Sequence, residues 1–260
     1  LLIHGWGMHG GMWSRVAEQL AQTHRVYSVD LPGHGYSQGK GPEEKEEEGR
    51  EKGSLSPDPS PARGRGEPLP LLPSPFSLDN VVSALSTRFN EPLTLCGWSL
   101  GGQVALRWAQ LHPAQIDRLA LIATTPCFVQ REDWDCAMAA DTLQQFAESL
   151  LQNHAQTLRR FLALQVRGSE DERELLADLR AQLFSRGEPD VEALKGGLEI
   201  LRDTDLRAAL PQLKQPTLVL AGERDTITPL AAAQYTAQAL PNANLLSIKG
   251  AAHAPFLSHS

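Results

Sequence analysis

Apolar residues in this chain follow two periods. Short continuous runs, "RVYSVD" (25–30), "LTLCG" (93–97), "RLALIA" (118–123), "TLVLAG" (217–222) and "NLLSIKG" (244–250), are rich in leucine and β-branched residues. Each ends at turn-forming residues, and runs of that length and composition predict buried strands. The opening "LLIHG" reads as the last half of another. Between the runs, apolar positions recur at helical spacing over 12–22, 78–89, 100–111 and 229–240. Strand–helix alternation predicts an α/β fold, a mostly parallel sheet with helices on both faces.

Two stretches interrupt the alternation. Residues 39–75, which hold eight of the 18 prolines, join a Glu/Lys cluster to a proline-rich tract. Such a stretch buries too little apolar surface to offset its ordering entropy, so a disordered insertion is expected. Residues 127–207 show no clear strand, only helical patterns over about 141–166, 171–184 and 190–202. They predict a helical cap over the edge of the sheet, a common way to form a ligand pocket. The expected organisation is a first core segment (1–126), the cap (127–207) and a second core segment (208–260).

Composition narrows the function. At 260 residues and 41% hydrophobic, the chain suits one domain with a sizeable core. A net charge of −7 argues against a nucleic-acid partner. No apolar run approaches 18 residues, so no membrane-spanning helix is expected. Three cysteines, Cys96, Cys127 and Cys136, form no CxxC pair and suggest a reducing, cytoplasmic setting. The abrupt start at Leu1 and end at "FLSHS" read as a fragment lacking leading strands and a closing helix.

The chemistry centres on "GWSLGG" (97–102), a G-x-S-x-G pattern after a predicted strand and before a predicted helix. In that context Ser99 sits on a strained turn at the carboxyl end of the sheet, exposed as a nucleophile; the bland alternative is a helix N-cap between loop glycines. A serine needs a base, and the base an orienting acid. In the order this architecture uses, Asp225 follows "TLVLAG" and His253 follows "NLLSIKG". Asp203 and Asp205 compete as the acid but precede a helical pattern instead of following a strand. His9, His24, His112, His154 and His259 lack a matching acid, and no HExxH-type spacing suggests a metal. The oxyanion of acyl transfer needs two N–H donors: Leu100, after the nucleophile, and Trp6, in the "HGWG" loop that His4 and Gly5 shape.

Together "LLIHGWG", "VDLPGHGYS", "GWSLGG" and "GAAHAPF" resemble the α/β-hydrolase superfamily. "TTPCF", "RFLALQ", "GGLEIL" and "AAHAPFLSH" narrow the resemblance to its biotin-pathway pimeloyl-carrier methyl ester carboxylesterases, over nearly everything except 39–75. The resemblance implies demethylation of a pimeloyl ester on acyl carrier protein, without cofactor or metal. It implies Ser99 as nucleophile, Asp225 as acid and His253 as base. Trp6 and Leu100 would make the oxyanion and substrate contacts. The cap run Phe161, Leu162, Ala163, Leu164 and Gln165 would bind substrate.

Independently, Ala147, Leu151, Leu158, Phe161, Leu162 and Gln165 recur at helical spacing, one face for a ligand or for plain packing. Arg159, Arg160 and Arg167 lie in a window (149–169) without acidic residues; Arg173 and Arg180 extend it. Such a basic face suits an acidic carrier protein, or merely solvates a helix. A monomer is expected. Alternatives on the same triad are a broad short-chain esterase, a thioesterase or a C–C hydrolase; a binding module that kept the fold is a further one.

Overall fold

The computed structural model describes residues 1–37 and 76–259. The insertion expected at 39–75 lies outside the described residues. Six strands form one sheet in the order β2-β1-β3-β4-β5-β6, every pairing parallel. They are β1 (Leu2–Ile3), β2 (Ser28–Val29), β3 (Leu93–Trp98), β4 (Ile116–Ile122), β5 (Thr217–Gly222) and β6 (Ala243–Ile248). The chain runs from β1 outward to β2, then crosses back over β1 to β3. That reversal makes the carboxyl ends of β1 and β3 the switch point of the sheet, where open α/β sheets bind ligands.

Helices α1 (Ser14–Leu20), α2 (Leu78–Ser86), α3 (Leu100–Leu111), α8 (Leu230–Ala239) and α9 (Pro255–Ser258) flank the sheet. Four more, α4 (Ala140–Gln152), α5 (His154–Val166), α6 (Glu172–Leu183) and α7 (Val191–Asp203), are inserted between β4 and β5. Leu158, Leu162, Leu179 and Leu194 of that insertion share one continuous apolar core with Trp6, Trp13 and Trp98. The insertion and the sheet therefore bury each other. No helix among the described residues is long and apolar enough to cross a membrane.

Three expectations are corrected. The helix expected over 141–166 is two helices, broken at Asn153, whose backbone is extended (φ −158°, ψ 88°). Its side chain accepts the Gln156 N–H at 3.0 Å and caps α5. The break ends the continuous face: Leu151 is 62% exposed on α4, while Leu158 and Leu162 are buried. The helix expected from residue 12 begins at Ser14, because Gly10–Trp13 forms a 3₁₀ turn capped by His9. Finally, β6 is an edge strand with Leu245 and Leu246 exposed, not a buried one.

The insertion is held at two places. At its stem the Leu206 N–H donates to the Pro126 carbonyl (2.8 Å) and Arg207 pairs with Asp133 and Asp205. At the far side Arg186 pairs with the buried Asp30 at 3.1 Å and lies over the Tyr36 ring. His9 reaches the Gln182 carbonyl at 2.8 Å. Asp30 also accepts the N–H groups of Gly10 and Tyr36. Burial opposes the Asp30 charge, yet these N–H donors and Arg186 hold its carboxyl below the ordinary range.

Candidate active site

Ser99 stands between β3 and α3 with φ 55° and ψ −118°, a conformation that non-glycine residues rarely adopt. The surroundings enforce it. The Ser99 N–H donates to the Ile122 carbonyl (3.0 Å), and Ser99's own carbonyl accepts the Thr124 hydroxyl (2.6 Å). A Cβ on Gly97 would collide with the backbone of Gly101 and Gly102, and one on Gly101 with the carbonyls of Ile3 and His4. None of these obstacles is a flexible side chain. Gly97→Ala is therefore expected to destabilise the fold by about 2–4 kcal/mol. Urea unfolding of the variant checks this; an unchanged midpoint would contradict the packing.

Asp225 and His253 follow the ends of β5 and β6 and meet at 2.8 Å, His253 Nδ1 donating to Asp225 Oδ2. Both side chains are essentially inaccessible, at 1% for His253 and 0% for Asp225. The other carboxylate oxygen accepts the N–H groups of Ile227 (2.8 Å) and Thr228 (2.9 Å). Those bonds fix the carboxylate plane. With Nδ1 committed to Asp225, His253 Nε2 is left buried and without a partner among the described residues. A free, dry imidazole nitrogen of that tautomer is what a general base for a hydroxyl requires.

The β1 loop closes the other side. A Cβ on Gly5 would stand 3.3 Å from that of Ser99, so this loop lies directly against the serine. His4 braces it: Nδ1 donates to the Gly5 carbonyl (2.8 Å) and Nε2 accepts the Leu31 N–H (2.8 Å). Burial, reinforced by neighbouring His34, pushes the His4 value down to about 3, which keeps that ring neutral. The Leu100 N–H opens α3 and has no partner within the helix. The Trp6 N–H likewise donates to no backbone carbonyl among the described residues. Two free N–H groups beside a serine can hold an oxyanion.

Above them the insertion grips the Trp6 ring. Its Nε1–H donates to the Leu194 carbonyl of α7 (2.8 Å), and Phe146 and Phe161 meet it edge-on at 5.3 and 5.1 Å. Of the run 161–165, the structure brings the ends to the site. Phe161 faces Trp6, and the Gln165 carbonyl accepts the His253 N–H (2.9 Å). The Gln165 side-chain amide is buried with neither polar atom partnered. Leu162 is buried in the core, Ala163 is half-buried and Leu164 is 37% exposed. A helix presents i and i+4 to one neighbour, so the five cannot all reach one ligand.

Elsewhere, Arg159, Arg160 and Arg167 line the exposed side of α5 and its end, and Arg173 is exposed on α6 beside Glu172 and Glu174. Asp203 and Asp205 pair with Arg202 and Arg207 on the surface and take no part. His154, read as lacking an acid, lies 3.2 Å from Glu188. The sequence reading missed Phe146, Thr124 and Thr228. Thr228 alone left a trace, as a hydroxyl three residues after the acid in "DTIT".

The sequence profile of the α/β hydrolase fold matches residues 1–260. The chain is 41% identical over 259 residues to a pimeloyl-(acyl-carrier protein) methyl ester esterase of Nitrosomonas europaea, covering 99% of this chain and 89% of that protein. A protein of the same name from Chromobacterium violaceum is 40% identical, covering 100% and 88%. Among solved structures, an esterase from Exiguobacterium antarcticum superposes with a TM-score of 0.77 at 20% identity, covering 98% of this chain and 85% of that one. A bromoperoxidase from Bacillus anthracis gives 0.78 at 19%, covering 99% and 86%. At those identities the structural likeness speaks for the fold alone.

Proposed function

Because this chain belongs to the α/β-hydrolase fold family, and within it to the pimeloyl-(acyl-carrier protein) methyl ester esterases, we propose that it hydrolyses the methyl ester of a pimeloyl chain carried on acyl carrier protein. The observations that support the chemistry are the buried Asp225–His253 pair with a free Nε2 and a serine on a strained turn at the end of β3. Carrier-bound acyl chains and three cysteines left as thiols fit a cytoplasmic enzyme. The four inserted helices act as the cap.

His253 Nε2 takes the Ser99 hydroxyl proton as Oγ attacks the ester carbonyl, and Asp225, remaining ionised, holds the imidazolium that results. The tetrahedral anion lies on the Trp6 and Leu100 N–H groups. Collapse breaks the bond to the methoxy oxygen, which leaves as methanol with the proton from His253. Water then enters, gives its proton to His253 and attacks the acyl-serine. The second collapse returns the serine and frees the carboxylate. Phe146, Phe161 and the Trp6 ring supply an apolar wall for the methylene chain, and the unpartnered Gln165 amide a polar group beside the base. The arginines of α5 would meet the acidic carrier, with Arg173 at the margin.

The test compares methyl release from the carrier-bound ester with release from the free dimethyl ester, for wild type and Arg160→Glu. A higher kcat/KM on the carrier, reduced about tenfold by the charge reversal while the free ester is unaffected, is expected. Equal turnover of both esters would leave a general carboxylesterase.

A further inference from the structure

Asp225 Oδ2 accepts two donors, not one. The Thr228 hydroxyl reaches it at 2.7 Å, alongside His253 Nδ1 at 2.8 Å, and stands 3.3 Å from that nitrogen. With Ile227 and Thr228 N–H on Oδ1, all four acceptor positions of the carboxylate are filled. Thr228 is 2% exposed, so no bulk water competes for the oxygen. We propose that Thr228 is a positioning residue of the esterase reaction: its hydroxyl fixes the Asp225 carboxylate and shares the oxygen that orients His253.

Two effects follow from sharing. The carboxylate cannot rotate, because both oxygens are held from the Ile227–Thr228 turn. The charge on Oδ2 is also divided between two hydrogen bonds, so the pull on the His253 N–H is weaker than a bare carboxylate would exert. The other groups against His253 are neutral: the Trp98 indole, which donates to its carbonyl, the Gln165 carbonyl and Phe256 beyond Trp98. Arg224, although adjacent to Asp225 in sequence, points outward to the Gly168 carbonyl. Among the described residues Asp225 is thus the one charged group bonded to the imidazole, and Thr228 the one side chain that tempers it.

This proposal rests on the esterase reading, and its test separates the two. The kcat/KM for methyl release is measured against pH for wild type, Thr228→Val and Thr228→Ser. In Thr228→Val the acid limb is expected to move up by about half a pH unit, because Oδ2 then serves His253 alone. Its kcat should fall about tenfold at unchanged KM, from the freed carboxylate. Thr228→Ser should behave as wild type. A Val variant whose profile superimposes on wild type, or a Ser variant as impaired as Val, overturns the proposal. Should Val fail to fold, Thr228→Ala takes its place, with the downfield proton resonance of His253 Nδ1 as readout. A resonance unmoved by the substitution also overturns it. Absence of turnover in the wild type removes the esterase reading, while the resonance, which needs no substrate, still decides Thr228.

Discussion

Ser99→Ala is expected to lower turnover of the carrier ester by about 10⁴–10⁶-fold, and Ser99→Gly to do the same while raising thermal stability. Without Oγ no acyl bond can form, and His253 and the two N–H donors support only slow attack by water. The second half of the prediction comes from the backbone. At φ 55° and ψ −118° a residue with a Cβ carries strain of about 1–3 kcal/mol, and alanine keeps it whereas glycine does not. Part of that gain is offset by the greater freedom of glycine in the unfolded chain, about 0.5–1 kcal/mol. Steady-state rates with thermal melts of the three proteins check both halves. Retained activity in Ser99→Ala would remove the nucleophile assignment, and a Gly variant less stable than Ala would remove the strain.

The fold is also expected to weaken on the acid side well before its carboxylates titrate. Burial lowers the values of His4, His9 and His34. For His4 and His9 the geometry agrees, since each has one ring nitrogen accepting a backbone N–H, from Leu31 and Gly11, that protonation would evict. In the unfolded chain the same rings protonate near pH 6.5. Below that pH the unfolded state binds more protons than the folded one, so stability falls as pH falls, until the lower folded values are reached. Between pH 7 and 5 the loss is about 2 kcal/mol for each histidine whose folded value lies below 5, His4 among them. Urea unfolding at several pH values measures it, and His34→Asn should flatten the slope. A midpoint constant from pH 7 to 5 would show the rings to be accessible.

Much of this was legible in the chain. The strand read at 217–222 and the helix at 100–111 fall on β5 and α3 at the same residues, because a continuous apolar run or an unbroken helical period, bounded by turn residues, has one solution. Ser99, Asp225 and His253 were legible as candidates because each follows a strand, and in an all-parallel sheet the carboxyl ends of the strands lie along one edge. Elsewhere the signal was ambiguous or absent. The apolar run of β6 predicted a strand, but a run does not say which faces are covered. The apolar period continued through Asn153, while the local cue, asparagine followed by Gln156 three residues on, pointed to a new helix start. Phe146 acts across elements, and no spacing within one element shows that a ring on α4 meets Trp6; Thr228 lies three residues from Asp225, but its spacing does not say that the hydroxyl shares an oxygen with His253.

Trp6 joins two jobs in one residue. Its backbone belongs to the β1 loop packed against Ser99, while its indole is gripped by α4, α5 and α7. A substitution of the indole would therefore be felt in two places at once: in the space that α4, α5 and α7 share around the ring, and in the loop that the ring anchors against Ser99.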